Sequence, residues 1–225
     1  KYILVDTSTH TGISFVLIDE KGSNAISVAP GANYNLSPED IDIYRNVITR
    51  SSILAVQMEN RIETIIYAIK LAKELGVTTL LDPAPAQRLP DNIYPVIDII
   101  KPNQTEAEIL TGLPVKSIQD AKSAALFFLD RGVHNVLLTL GEKGLIYGTN
   151  SICTYIPAPK VDIVDTTGAG DAFIGGLLNA LARDEVMIRA IEFASRVAAL
   201  SVKRLGVVNA FPTIEEVNSS FHYLS

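Results

Sequence analysis

Short apolar segments alternate with longer amphipathic segments through most of the chain, and this alternation constrains the fold more than any other feature. Buried strands are indicated by SILAVQME, VTTLL and HNVLLTL at residues 52–59, 77–81 and 134–140. Helices that bury one face are indicated by TIIYAIKLAKELG and AKSAALFFLDRG at residues 64–76 and 121–132. Because strands that alternate with helices form a parallel sheet covered by helices, the pattern predicts an α/β fold.

Other parts of the chain have different signals. TGISFVLID and NAISVAP, at residues 11–19 and 24–30, flank the glycine-containing segment EKGS at residues 20–23. Together they predict a β-hairpin. A helix is expected to begin near Gln104, and the chain after Asp171 reads as almost entirely helical.

Composition narrows the class of protein. The 225 residues, 48% of them hydrophobic and 20% charged, favour one globular domain over residues 1–225. A net charge of −6 without long basic runs argues against a nucleic-acid surface. No apolar run reaches the roughly 18 residues of a membrane span and no signal-peptide pattern opens the chain, so we expect a cytoplasmic protein with no membrane contact.

Metal and disulfide chemistry based on cysteine or histidine is also disfavoured. Cys153 is the only cysteine, which excludes an intramolecular disulfide and a cysteine-rich zinc site. The three histidines are widely separated, which argues against a histidine-rich metal site.

The stretch VDTTGAGDAFIGG, residues 164–176, places glycines and an aspartate where an apolar helix begins. Gly168 and Gly170 permit a turn whose N–H groups converge on an anion at the helix N-terminus. Such donors suit the charge of a transferring phosphoryl group, and Asp171 is placed to accept a hydroxyl proton. The residues alone leave a second interpretation open, a glycine turn with Asp171 favoured only by the helix dipole.

Polar side chains follow the ends of several predicted strands. In open α/β sheets ligands bind beyond the carboxyl ends of the strands, so we expect these side chains to line one crevice. They are Glu59, Asp82, Asn103, Thr139 and Asp165. Asn103 and Glu106 also fit an N-cap and a solvated first-turn carboxylate, and that alternative stays open.

The chain resembles the ribokinase/PfkB family of sugar kinases in several motifs that occur in the family's order. DTTGAGDAF matches the C-terminal signature, and PNQTEAE matches the N-x-x-E element. LDPAPA, LLTLGEKG and AALSVKRLG extend the similarity over essentially the whole chain. The resemblance implies a ribokinase-like three-layer α/β/α sandwich with a mostly parallel sheet and a partial β lid, to which the hairpin of residues 11–30 belongs.

The resemblance also implies an activity, the ATP-dependent phosphorylation of the primary hydroxyl of D-ribose to give ribose 5-phosphate. Asp171 would be the catalytic base, and the amides of Gly168, Ala169 and Gly170 would form the anion hole. Asn103 and Glu106 would place Mg²⁺ and the nucleotide phosphates, largely through water.

Further residues are implied around the nucleotide and the sugar. The nucleotide contacts would be Thr139, Gly141, Gly144, Gly170 and Ser195, with residues 198–210 around the adenine. Ser195 stands where the family commonly has histidine or asparagine. Glu59 would line the sugar site as a buried carboxylate, with helix capping as the alternative. Asp82 stands where ribokinases often have asparagine.

A monovalent cation, K⁺, is implied as an activator. Its ligand positions, several of them backbone carbonyls, would be Asp165, Thr167, Ser201, Arg204, Gly206 and Ala210. Ala210 departs from the serine often found at the last position, which removes one hydroxyl ligand.

The family has an N-terminal region that is not found here, with the first sheet strand, a sugar-holding aspartate and a GG-x-x-x-N element. We therefore expect this chain to be part of a longer kinase, incomplete for catalysis alone, whose full-length form is a homodimer through the lid.

Other functions remain as alternatives. One is another PfkB kinase that acts on deoxyribose, a nucleoside or another sugar, and a second is a non-catalytic nucleotide-binding relative. A dinucleotide-dependent oxidoreductase is disfavoured because no G-x-G-x-x-G follows the first predicted strand.

Overall fold

The computed structural model describes residues 2–18 and 24–220. Its strands are β1 (Ile13–Ile18), β2 (Asn24–Ala29), β3 (Ile53–Val56), β4 (Thr78–Leu81), β5 (Ile99–Ile100), β6 (Asn135–Thr139), β7 (Leu145–Gly148) and β8 (Cys153–Ile156). β3 to β8 form a six-stranded sheet in sequence order, and β1 and β2 form a separate two-stranded sheet.

Helices alternate with these strands and dominate the last part of the chain, as the sequence predicts. They are α1 (Pro38–Ile43), α2 (Arg45–Thr49), α3 (Ile62–Glu74), α4 (Gln104–Thr111), α5 (Ile118–Asp130), α6 (Ala169–Leu181), α7 (Met187–Ser201) and α8 (Ile214–Ser220). Short 3₁₀ helices occupy Gly31–Asn35, Asp91–Val96, Gly141–Lys143 and Val208–Ala210.

The first four strands of the large sheet run parallel. Leu54 pairs with Thr79, and Leu80 pairs with Ile99. The next pair along the sheet, β5 and β6, is also parallel. The carboxyl ends of these strands therefore meet at one edge of the sheet, and Glu59, Asp82 and Asn103 follow β3, β4 and β5 along the chain.

The centre of the sheet is buried on both faces. Leu80 and Leu81 of β4 and the two residues of β5 are fully buried in succession, without the alternation of a half-exposed strand. In β6, residues 136–138 are buried in the same way. Continuous burial is the signature of a parallel sheet covered by helices on both sides, which confirms the predicted α/β class.

The predicted hairpin is also confirmed for the described residues. β1 and β2 are antiparallel, from Ile13 opposite Ala29 to Ile18 opposite Asn24. The EKGS segment at residues 20–23, predicted as their connection, lies outside the described residues.

The chain divides into two compact units, and a single kinase domain over residues 1–225 stays a prediction. The first unit comprises Lys1–Leu138 and Tyr147–Cys153, and the second comprises Thr139–Ile146 and Thr154–Ser225. Over residues 2–18 and 24–220, none of the helices has the length and apolar character of a membrane span.

Candidate active site

A buried ion pair lies at the carboxyl ends of β4 and β5 in the first unit. Lys101 Nζ is 3.3 Å from Asp82 Oδ1, and each side chain is only 5% exposed. The backbone holds both residues in place, because the Asp82 amide donates to the Val56 carbonyl and the Lys101 amide donates to the Leu81 carbonyl. Asp82 is among the residues predicted from the sequence, whereas Lys101 is not, because its only signal is a charge between an apolar strand and a proline.

Asn103 and Glu106 form a reciprocal capping box at the start of α4. Asn103 Oδ1 accepts from the Glu106 amide at 2.9 Å, and Glu106 Oε2 accepts from the Asn103 amide at 2.7 Å. Asn103 Nδ2 also donates to Glu106 Oε1 at 2.7 Å. The N-cap interpretation of Asn103 is therefore confirmed, and α4 begins at Gln104 as expected. Glu106 is half-buried rather than a solvated first-turn carboxylate, so that part of the alternative is not confirmed.

Glu106 is influenced by the buried ion pair. The pKa of Glu106 is raised above its usual value, mainly because burial penalises the charged carboxylate. The hydrogen bond from the Asn103 amide and the positive charge of Lys101 lower this pKa, and the negative charge of Asp82 raises it. Carboxylate and amide oxygens are ligands that Mg²⁺ accepts, and a carboxylate has more lone pairs than the cap uses. The residues present therefore fit a hydrated magnesium ion that is contacted through water.

Glu59 differs from expectation in its surroundings. It is exposed rather than buried, three residues beyond the end of β3. The neighbouring Met58 side chain is the buried one, and the Met58 amide donates to the Ala84 carbonyl at 2.9 Å. The N-cap of α3 is Arg61, so Glu59 does not fill the N-cap position that was its alternative.

In the second unit, α6 begins at a left-handed glycine. Gly168 is the N-cap, with φ +76° and ψ 3°. A Cβ atom at Gly168 would lie 2.7 Å from Val207 Cγ1, so the close approach of the 207 segment also requires glycine. Asp171 is the third helical residue and is exposed, and the Ala169 amide donates to the Thr166 carbonyl at 3.2 Å.

The segment before α6 is joined to the segment after α7 by the carboxylate of Asp165. Asp165 Oδ1 accepts from the Thr167 amide at 2.9 Å, and Oδ2 accepts from the Gly206 amide at 3.0 Å. Hydrogen bonds from the Thr167 hydroxyl and amide, and from the Gly206 amide, hold the pKa of Asp165 below its usual range. Three of the six residues expected around K⁺ are thus in contact.

The other three expected cation residues lie in the same unit. Ser201 is buried and its hydroxyl donates to the Ala198 carbonyl at 2.8 Å, Ala210 is buried, and the Arg204 side chain is paired with Glu216. The side chains of Asp165, Thr167 and Ser201 and the backbone carbonyls of this set offer oxygen atoms, which are the type of ligand that a hard cation binds. Among the described residues no group of three or more His, Cys, Asp or Glu side chains is arranged to hold a metal ion.

The expected nucleotide residues include two glycines with positive φ in the turn after β6. Gly141 has φ +60° and Gly144 has φ +111°. A Cβ atom at Gly144 would lie 2.1 Å from the Ile156 carbonyl oxygen, and the Leu140 amide donates to the Gly144 carbonyl at 2.7 Å. Thr139 ends β6 beside this turn, and Ser195 is half-buried on α7.

Comparison with known proteins gives consistent matches. The model of the pfkB family of carbohydrate kinases matches residues 1–214. A ribokinase of Staphylococcus aureus is 39% identical over 218 residues, which are 96% of this chain and 72% of that protein. A deoxyribokinase of Salmonella typhi is 38% identical over 218 residues, which are 96% of this chain and 70% of that protein.

A solved structure extends the similarity to the fold. The structure of Arabidopsis thaliana ribokinase complexed with ribose and ATP matches with a TM-score of 0.82 at 29% identity, over 93% of this chain and 68% of that one. The predicted ribokinase-like α/β architecture and the resemblance carried by the motifs are both confirmed.

Proposed function

The chain belongs to the pfkB family of carbohydrate kinases, and from that premise we propose that it phosphorylates the primary hydroxyl of D-ribose with ATP to give ribose 5-phosphate. The observation that carries this proposal is the position of Asp171. Its carboxylate is exposed in the first turn of α6, the helix that begins directly after the left-handed Gly168. This arrangement supplies a base beside backbone donors for an anion.

The proposed reaction is an in-line phosphoryl transfer. The Asp171 carboxylate accepts the proton of the sugar hydroxyl while that oxygen forms a bond to the γ-phosphorus of ATP. The bond from the γ-phosphorus to the β–γ bridging oxygen breaks, and ADP leaves. The amides of Gly168, Ala169 and Gly170 stabilise the charge on the transferring group, with the Ala169 amide exchanging its contact with Thr166 for one with the phosphoryl group.

Asn103 and Glu106 are proposed to orient the magnesium nucleotide. Mg²⁺ bound to ATP neutralises part of the phosphate charge. The capping box supports this role because it fixes both side chains before any ligand arrives. Such preorganisation avoids the cost of ordering them during the reaction.

Several further roles belong to the same proposal. Thr139, Gly141, Gly144 and Ser195 contact the nucleotide, and Glu59 contacts the sugar. The contacts among Asp165, Thr167 and Gly206 support a K⁺ site that also includes Ser201, Arg204 and Ala210.

Assembly and location complete the proposal. The exposed apolar side chains Ile13, Phe15 and Val28 on β1 and β2 support a homodimer through this hairpin. A cytoplasmic location is proposed because ATP is the phosphoryl donor. This chain spans 72% and 70% of its two compared relatives. The proposed activity refers to the longer kinase that the sequence resemblance leads us to expect.

2-Deoxyribose is the second candidate substrate, since identity to the deoxyribokinase is 38% against 39% to the ribokinase. The test is ADP release by the full-length protein with ribose, 2-deoxyribose or a nucleoside, in Mg²⁺ and K⁺. We expect the highest kcat/KM with ribose. A higher kcat/KM with 2-deoxyribose would make 2-deoxyribose the substrate in place of ribose. Nucleotide binding without turnover of any acceptor would favour a non-catalytic relative.

A further inference from the structure

The buried ion pair of Lys101 and Asp82 has no part in the reaction described above. We propose that this pair is a positioning element that fixes Asn103 and Glu106 for the magnesium nucleotide. The inference rests on the proposed function, which assigns a ligand to Asn103 and Glu106. It adds two residues that act on that ligand without touching it.

Burial decides how the pair can act. Both side chains are 5% exposed, so neither presents a surface to which a nucleotide could bind. Backbone hydrogen bonds to the Val56 and Leu81 carbonyls extend the sheet beyond β4 and β5 and lock both residues in place. Any effect on the ligand must therefore pass through the neighbours of the pair.

The covalent path from Lys101 to Asn103 is short and stiff. Only Pro102 separates them, and its ring fixes its own φ and restricts the preceding residue to extended conformations. Asn103 continues in an extended conformation, with φ −85° and ψ −178°, and then caps α4. A change in the position of Lys101 is thus transmitted to the first turn of α4.

The charges of the pair also balance each other. The Asp82 carboxylate and the Lys101 ammonium lie 3.3 Å apart, and each side chain is only 5% exposed. Neutralising one partner leaves a single buried charge at the carboxyl ends of β4 and β5, two residues before the N-cap of α4. Because an unpaired buried charge is far more disruptive than the loss of both charges together, the pair must be tested as a unit.

The experiment compares Lys101→Met, Asp82→Asn and the double variant in the full-length protein. We expect Lys101→Met and Asp82→Asn each to raise the Mg²⁺ concentration for half-maximal turnover and lower kcat, by about tenfold, as for other residues that orient metal ligands. The double variant should return both quantities to within about threefold of the wild type, because no uncompensated charge remains.

Lys73→Met is the matched control. Lys73 Nζ lies 2.6 Å from Asp98 Oδ1, an ion pair just before β5 at the opposite ends of the same strands. Loss of this pair should lower the unfolding midpoint without changing the Mg²⁺ requirement. The unfolding curve of each variant gives its folded fraction under the assay conditions, and turnover is divided by that fraction.

The outcomes separate this inference from the proposed function. The positioning role would be overturned if the single variants kept the wild-type Mg²⁺ requirement and kcat. It would also be overturned if the double variant were as impaired as the worse of the two single variants. If Lys101→Met does not fold, the nearly isosteric Asp82→Asn and the double variant decide. If the wild type turns over no sugar, the proposed function fails, and the Kd of MgATP by calorimetry for the same variants decides the role of the pair.

Discussion

At the scale of single residues, Gly168 makes the most specific demand on the chain. Its φ of +76° is strained for any residue with a Cβ, and that atom would meet Val207 Cγ1 at 2.7 Å. Gly175, in the same helix, is exposed and has nothing within 4 Å of its Cβ position. Glycine is therefore required at position 168, whereas position 175 can accept a larger residue.

Gly168→Ala is expected to lower the free energy of unfolding by about 2 kcal/mol, because the left-handed conformation and the close contact both penalise a methyl group. Gly175→Ala should raise it by about 1 kcal/mol, because alanine is the better helix former at an exposed position. Urea titration of both variants measures the difference. Equal effects of the two substitutions would contradict this account of the helix start.

Residue-level predictions succeeded where the cause was local. The sequence offers the N-cap as one of two interpretations of Asn103, and this one is confirmed because a cap depends only on residues within one helical turn. Lys101 was missed because its partner, Asp82, comes from another strand. The exposure of Glu59 was also missed, since the chain buries Met58 in its place by a contact with Ala84 that no local pattern encodes.

At the scale of elements, three helices of the first unit, α1, α4 and α5, begin with a capping box, and α4 and α5 form a useful pair for comparison. α4 begins with the capping box of Asn103 and Glu106, and α5 begins with that of Ser117 and Asp120. Only the first is proposed to face the nucleotide. Comparing variants of the two caps therefore distinguishes the effect of a cap on stability from its effect on turnover.

Asn103→Ala and Ser117→Ala are each expected to lower the free energy of unfolding by about 1 kcal/mol, the usual cost of a lost N-cap. Asn103→Ala should also lower turnover per folded molecule, whereas Ser117→Ala should leave it unchanged. Asn103→Ser keeps the cap and removes the amide, so it should restore stability but not turnover. Full turnover in Asn103→Ser would limit the role of Asn103 to capping.

Element boundaries show what a sequence pattern leaves out. α4 begins where expected, because its cap is local. α6 begins at Ala169, ahead of the apolar run that suggested it, because the left-handed Gly168 already starts the helix. β5 is only Ile99–Ile100, since its length depends on pairing with β4 and β6 and on a proline that soon ends the segment.

At the scale of the whole molecule, long-range polar contacts supplement the apolar core. Asp98 accepts from Lys73 Nζ at 2.6 Å and from the Thr79 amide at 2.9 Å, and it lies 3.0 Å from His134 Nδ1. It thus joins α3, β4 and the residue before β6. Burial raises the pKa of Asp98, but the bonds from Lys73 and Thr79 outweigh it and hold the pKa below its usual range.

Asp98→Ala is expected to lower the free energy of unfolding by about 2 kcal/mol at pH 7, because it removes charge-assisted hydrogen bonds from a largely buried group. A lowered folded-state pKa means that this stabilisation is complete above the unfolded pKa of about 3.9 and is lost as the pH falls through the folded value. The gap between wild type and variant in urea titrations should therefore narrow below about pH 4.

Asp91→Ala is the control for that series. Asp91 is 88% exposed and its oxygen lies 3.7 Å from Arg131, so the pair contributes about 0–1 kcal/mol at most. Its effect should stay small throughout the series, because the pair is exposed to solvent. A constant difference between wild type and Asp98→Ala from pH 7 to pH 3 would contradict the assigned role of the Asp98 charge.

Ribose-dependent ADP release by the full-length wild-type protein and by Asp171→Asn measures whether Asp171 is the base of a ribose kinase. We expect turnover that requires ribose in the wild type and a loss of about 10²–10⁴-fold in the variant, with MgATP binding retained. Wild-type turnover in Asp171→Asn, or ADP release that does not depend on ribose, would contradict it.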